Sequence, residues 1–159
     1  MAYSIVRKEL TPQPVLVARC RVERSGIAST IAEALPRVFA CAAQHEIALT
    51  GLPFTRYVEM GPEFVTMEPG MRISRPVASS PAVELPMIID TLPGGPAATT
   101  IHTGPYEGLP DAYAAIQQWI EAQGITAAGA PWECYITDPA SVPEPADWKT
   151  EVFFPLARS

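Results

Sequence analysis

Two stretches of this 159-residue chain repeat one another in the same order, and that repeat restricts its fold more than any single motif does. Pro14 to Val22 is an apolar, β-branched run followed by Gly26 and a helical pattern. Pro96 to Gly104 is a second such run, followed by Gly108 and another helical pattern, with the two glycines 82 residues apart. Downstream, Leu52-Pro53-Phe54-Thr55-Arg56-Tyr57 meets Ala130-Pro131-Trp132-Glu133-Cys134-Tyr135 at an offset of 78. A shortening of four residues in the second helix or its exit loop reconciles the two offsets.

Each half reads strand, helix, strand, strand. Ile27, Ile31, Leu35, Val38 and Ala42 recur at helical spacing in the first half, and Leu109, Tyr113, Ile116 and Ile120 in the second. Pro36 should kink the first helix or mark a restart, and Gly124 is a natural stop for the second. Strands are expected at Leu16–Val22, Phe54–Glu59 and Glu63–Met67 (the last running on as far as Arg75), then at Ala97–Thr103, Trp132–Thr137 and Trp148–Pro155. Pro69 to Pro81 is ambiguous, while Met87–Leu92 and the extreme N-terminus are candidate edge strands. Neither half can bury both a helix face and a sheet face well alone. The expectation is one α+β domain over residues 1–159, with repeats near 14–75 and 96–156. Its two pseudo-symmetric modules would join into one long antiparallel sheet, with two helices on one face and a cleft between them.

At 48% apolar and 18% charged residues the chain can build a core, so disorder throughout is excluded. A formal charge of −6 and no Lys/Arg run argue against nucleic acid as a direct partner. Cys20, Cys41 and Cys134 form neither a disulfide framework nor a zinc knuckle, and His45 and His102 have no metal spacing. No metal, nucleotide or haem is expected. The N-terminus lacks a signal-peptide stretch and no uninterrupted apolar segment reaches bilayer length, so no membrane partner is expected and the cytoplasm is the default address. Leu92-Pro93-Gly94-Gly95-Pro96 reads as a turn rather than a phosphate loop, and Ser74, Ser79 and Ser80 sit in no nucleophile elbow.

Glu133 is the residue that most needs explaining. It stands inside a segment that otherwise looks like a buried strand, where a carboxylate must be paired, hydrogen-bonded, protonated or in contact with a cleft. Strand alternation puts Glu133, Tyr135 and Thr137 on one face, with Trp132, Cys134 and Ile136 on the other. An edge-strand glutamate facing solvent is the plainer alternative. If Thr137 lies opposite Trp148, Glu133 and Trp148 share a face; a slip by one residue puts Lys149 there instead. Tyr57 (the repeat mate of Tyr135), Tyr106, Tyr113 and Trp119 cluster around the same segment in the repeat map, and a carboxylate ringed by aromatic faces suits a flat, lipophilic cation. Tyr113 and Trp119 can equally be core. Cys20 and His102 occupy matching repeat positions, but nothing in the sequence supplies the orienting group that a Cys–His nucleophile needs.

The order His102-Thr103-Gly104-Pro105-Tyr106, Leu109, Ala112-Tyr113, Trp119, Gly124, Pro131-Trp132-Glu133-Cys134-Tyr135, Asp138-Pro139 and Thr150 to Leu156 resembles the GyrI-like family. The fold of that family also serves as the effector-binding domain of bacterial transcription regulators. The first half fits more loosely, through Arg24-Ser25-Gly26 and Gly51 to Tyr57. The resemblance implies a glutamate at the pocket floor and a ligand site of Glu133, Tyr135, Tyr106, Tyr113, Tyr57 and Trp148. It implies a binder of lipophilic, cationic or polar-headed small molecules, and a stand-alone one, because the first strand begins by Pro14. Two alternatives stay open. One is a hydrolase of strained electrophiles with Glu133 and Tyr106 as its catalytic pair; the other is an inhibitor of a protein partner such as a topoisomerase. Exposed sheet edges also allow a homodimer.

Overall fold

A computed structural model describes residues 3–74 and 83–157. The expected strand end at Arg75, the stretch on to Pro81 and the serines Ser79 and Ser80 lie outside the described residues. The fold is α+β and its strand pairs are antiparallel. The chain divides into two compact units, Pro12–Pro93 and Gly94–Ser159, the latter joined by Met1–Thr11.

In the first-half unit, β2 (Gln13–Ala18), β3 (Cys20–Glu23), α1 (Ile27–Gln44), β4 (Leu49–Met60), β5 (Phe64–Ile73) and β6 (Met87–Leu92) follow in order. Strand β5 pairs with β4 on one side and with both β2 and β3 on the other, and β2 pairs onward with β6. One strand was expected from Leu16 to Val22. Two form because Arg19 leaves the ladder, its N–H bonding the Pro86 carbonyl at 2.9 Å. Ala34, Val38 and Ala42 of α1 pack on Leu16, Ala18, Met71 and Ile73. The helix is continuous through Pro36, which faces solvent together with Ala32, so the carbonyl that proline deprives of a donor is open to water. By length and composition the segment Arg24–Gln44 could cross a membrane. Its inner residues are instead part of the core of this unit.

In the second-half unit, β7 (Gly95–Thr103), α2 (Leu109–Ala122), β8 (Trp132–Tyr135) and β9 (Lys149–Pro155) are joined by β1 (Val6–Leu10) from the chain start. The order is β1-β7-β9-β8. Leu109, Ala112, Ile116 and Ile120 of α2 pack on Ala98, Val152, Phe154 and Leu156. The helix ends as expected at Gly124, whose φ of +68° suits glycine. Strand β8 stops at Tyr135, two residues earlier than expected, and β9 starts at Lys149, because Trp148 caps a short 3-10 turn at Pro145–Asp147.

Gly70 marks the tightest approach in the first-half sheet. A Cβ there would stand 2.3 Å from the Leu16 carbonyl oxygen and 2.9 Å from the Val17 Cα, both backbone atoms of the paired strand. Gly70→Ala should therefore destabilise the protein by about 2–3 kcal/mol. That corresponds to roughly 5–10 °C in melting temperature by calorimetry; an unchanged melt would show that β2 and β5 are not this close.

Candidate functional site

Strand β9 aligns the second-half residues. Glu133 lies opposite Val152, Cys134 opposite Glu151 and Tyr135 opposite Thr150. Val152 packs with α2, so the face that carries Glu133 and Tyr135 is the helix-facing one. The Ile136 N–H bonds the Lys149 carbonyl at 3.0 Å, and the Thr137 hydroxyl accepts from the Lys149 N–H at 2.9 Å. Continued by two residues, the register sets Thr137 across from Trp148, the alignment that puts Trp148 on the face of Glu133. The slip that would have substituted Lys149 does not occur.

Glu133 is 3% exposed, so it is not an edge residue facing solvent. The Tyr113 hydroxyl donates to its Oε1 at 2.6 Å and the Tyr135 hydroxyl donates to its Oε2 at 2.8 Å. These phenol donors replace part of the water that a carboxyl group loses on burial. Tyr113 comes from α2 and Tyr135 from β8, so the carboxylate ties helix to sheet. The Tyr113 ring also meets Phe154 edge-on at 5.7 Å. Tyr106 stands on the 3-10 turn Tyr106–Gly108, its ring 5.9 Å from that of Tyr135 and 4.8 Å from that of Trp148. Trp148 is fixed in turn by its indole N–H, which donates to the Val142 carbonyl at 2.7 Å. Burial, followed by the negative charges of Glu133 and Asp138, pushes the Tyr106 phenol above its ordinary 10.0, so it is a protonated donor at neutral pH.

Five of the six expected ligand residues thus belong to one cluster on the second-half unit. Tyr57 is on β4 of the first-half unit, buried and opposite Met67. The repeat offset sets Thr55 at the position of Glu133 and Ile31 at that of Tyr113, so the buried carboxylate and its helix donor occur in one half only. Trp119 packs against the α2 core, as a core reading of it expected. The ring of His102 is committed at both nitrogens, its Nε2–H donating to the Pro105 carbonyl at 2.9 Å and its Nδ1 accepting from the Tyr3 hydroxyl at 2.8 Å. The Cys20 thiol donates to the Ala18 carbonyl at 3.5 Å and is pushed up by burial against the lowering effect of Arg37. Neither residue is disposed as a nucleophile pair. Among the described residues no group of three or more His, Cys, Asp or Glu is placed to hold a metal ion. A concavity of about 340 Å³ beside Glu23, Arg24, Ser25, Glu63 and Phe64 has only exposed polar residues and does not involve Glu133.

Sequence reasoning missed two features. Thr150 is fully buried on the helix-facing side of β9, and its hydroxyl finds no hydrogen-bond partner among the described residues. The alternation that singled out Glu133 on β8 would have found it, had it been carried across to β9. Glu68, fully buried on β5, accepts from Arg19 at 2.8 Å and from Arg56 at 2.6 Å, and Arg56 reaches on to Asp90 at 2.7 Å. Its two partners come from two other segments, so no local pattern announced it. Burial pushes Asp90 up, but the Thr91 N–H and the Arg56 guanidinium outweigh it and hold the carboxyl below its ordinary 3.8.

The second-half unit is thus a helix-and-sheet module with a buried, tyrosine-held carboxylate beside an aromatic cluster. The family model for the GyrI-like small molecule binding domain matches residues 1–157, and the chain belongs to that family. The EcmrR C-terminal domain is similar over the whole of both chains, at 26% identity and a TM-score of 0.84. In the EcmrR–DNA complex the TM-score is 0.83, and this chain spans 59% of that protein's length. SAV2435 bound to tetraphenylphosphonium shares the fold at a TM-score of 0.58 and 13% identity, with 99% of this chain and 94% of that one covered. No curated protein sequence matches the chain.

Removing one phenol should expose how far the carboxylate depends on it. Tyr113→Phe should cost about 1.5–3 kcal/mol by urea unfolding, and distinctly less in a Glu133→Gln background. Strict additivity of the two changes would contradict the bond. In the first-half unit, stability contributed by the depressed Asp90 should be present above about pH 4 and lost as pH falls through its folded value. Asp90→Asn should accordingly flatten the decline in unfolding free energy between pH 5 and pH 2, and an identical acid profile in the variant would rule that contribution out.

Proposed function

We propose that this GyrI-like domain captures lipophilic small molecules with a cationic or polar head at the Glu133 cluster of its second-half unit. The supporting observation is the buried carboxylate whose two oxygens are held by Tyr113 and Tyr135, the latter in contact with the Tyr106 ring, which lies tilted against Trp148. A carboxylate already stripped of water attracts a weakly hydrated cation without a second desolvation cost, and the neighbouring ring faces add cation–π attraction. Hydrated ions such as ammonium gain less, since they must shed water to enter. That SAV2435, a protein of the same fold, has tetraphenylphosphonium bound agrees with this ligand class. The shared small-molecule-binding family and the likeness to the EcmrR C-terminal domain agree with an effector-sensing role.

Hydrolysis of a strained electrophile would use the same carboxylate, with Tyr106 as the proton donor. No observation favours it over capture, since both Glu133 oxygens are already occupied by phenols. Inhibition of a protein partner draws no support from the cluster.

The test is a thermal-shift titration with tetraphenylphosphonium and with neutral triphenylphosphine oxide. At a hundredfold excess over Kd, the cation should stabilise wild type by about 2.7 kcal/mol, or roughly 5–10 °C. Glu133→Gln should lose most of that shift, while the neutral compound shifts neither protein appreciably. Equal shifts in both proteins would remove Glu133 from the site. Consumption of styrene oxide by wild type but not by Glu133→Gln would move the reading to the hydrolase.

A further inference from the structure

Thr150 is enclosed on every side of its strand position. Across β9 it faces Tyr135 on β8 and His102 on β7, and Trp148 and Val152 flank it two residues away along the chain. Directly opposed residues in an antiparallel pair have their side chains about 5 Å apart. The two rings that Tyr106 meets, those of Tyr135 and Trp148, are two of these four neighbours, so one aromatic group borders Thr150. Beside that group the Thr150 hydroxyl is fully buried and without a partner among the described residues. The polar groups around it are committed: His102 to Pro105 and Tyr3, and the Tyr135 hydroxyl to Glu133.

A buried hydroxyl without a partner is a standing penalty, and a valine of the same shape would avoid it. A Cβ on Gly108 would lie 2.7 Å from His102 Cε1, so the 3-10 turn is pressed onto His102, whereas the Tyr106 side chain can swing about its own χ1. A ligand head entering beside Glu133 and turning that ring aside would come to the Tyr135 and Trp148 rings, the neighbours of Thr150.

We propose that the Thr150 hydroxyl is a second polar anchor of the ligand site, selecting lipophilic cations that carry a hydroxyl or carbonyl oxygen over their hydrocarbon counterparts. This rests on the reading of the Glu133 cluster as the ligand site, and it adds a specificity that the carboxylate alone cannot supply. Glu133 recognises charge. Thr150 recognises a hydrogen-bonding oxygen at a fixed place beside that charge.

The experiment uses two triphenylphosphonium probes that differ in one group, with either hydroxymethyl or ethyl at the para position of a fourth phenyl ring. Dissociation constants are measured by calorimetry for wild type, Thr150→Val and Thr150→Ser. The preference of wild type for the hydroxymethyl probe, relative to that of Thr150→Val, should be on the order of tenfold, the value of one hydrogen bond. Thr150→Ser should keep the preference, and Thr150→Val should still bind the ethyl probe as wild type does. An identical preference in wild type and Thr150→Val would overturn the assignment, as would its loss in Thr150→Ser with the melt unchanged. If neither probe binds wild type, the site reading falls and this inference falls with it. If both bind and only the preference is insensitive to Thr150, the site stands and the anchor does not.

Discussion

The pairing of β9 with strands on both sides is the constraint on which the second-half unit depends. Because β9 is registered to β7 and to β8, three segments far apart in sequence present one continuous row of side chains to α2. A slip of one residue would turn Val152, Phe154 and Thr150 away from the helix and bring Glu151 and Phe153 in their place. Both faces of the strand oppose such a slip. On the helix side Val152 and Phe154 are core. On the other side Phe153 stacks on Trp132 at 5.4 Å, and Glu151 takes the Lys8 ammonium at 2.7 Å and the Thr99 hydroxyl at 2.6 Å. The carboxylate of Glu133 is therefore placed by packing and only then held by its phenols.

The two halves share a plan and divide the chemistry. Where the second half has Tyr106, Tyr113 and Glu133, the offsets give Arg24, Ile31 and Thr55 in the first. The first half instead places its buried carboxylate, Glu68, between two arginines, one of which reaches on to Asp90, so that two cations balance two anions. A buried ion pair of this kind adds little net stability over an apolar core, yet it penalises any arrangement that separates its members. One half thus carries a buried carboxylate held by phenols and the other a carboxylate held by arginines, built from the same succession of strands and helix.

Much of this was legible in the sequence. The repeat gave the strand and helix order, helical spacing found the inward faces of α1 and α2, and Gly124 marked the end of α2. Glu133 stood out because a charge within an apolar strand needs a partner, and Tyr135 followed from alternation alone. The split at Arg19 was not legible, since it depends on a bond to the Pro86 carbonyl made through space. The Glu68 network was hidden for the same reason, its partners lying 12 and 49 residues away in sequence. No restart occurs at Pro36: the lost bond falls on the exposed face of α1, where the helix runs on through the proline. That Tyr113 supplies the second phenol on Glu133 needed the rotation of α2, which no single-residue pattern encodes.

The chain start has one further consequence. Strand β1 pairs with β7, some ninety residues later, and Lys8 and Tyr3 reach partners further on still, at Glu151 and His102. During synthesis the partners of this segment emerge only after residues 12–93 have been made. Its closure spans a long loop and comes late. Residues 3–10 are therefore among the last of this unit to find their place, and the bond that holds His102 Nδ1 forms only when they do.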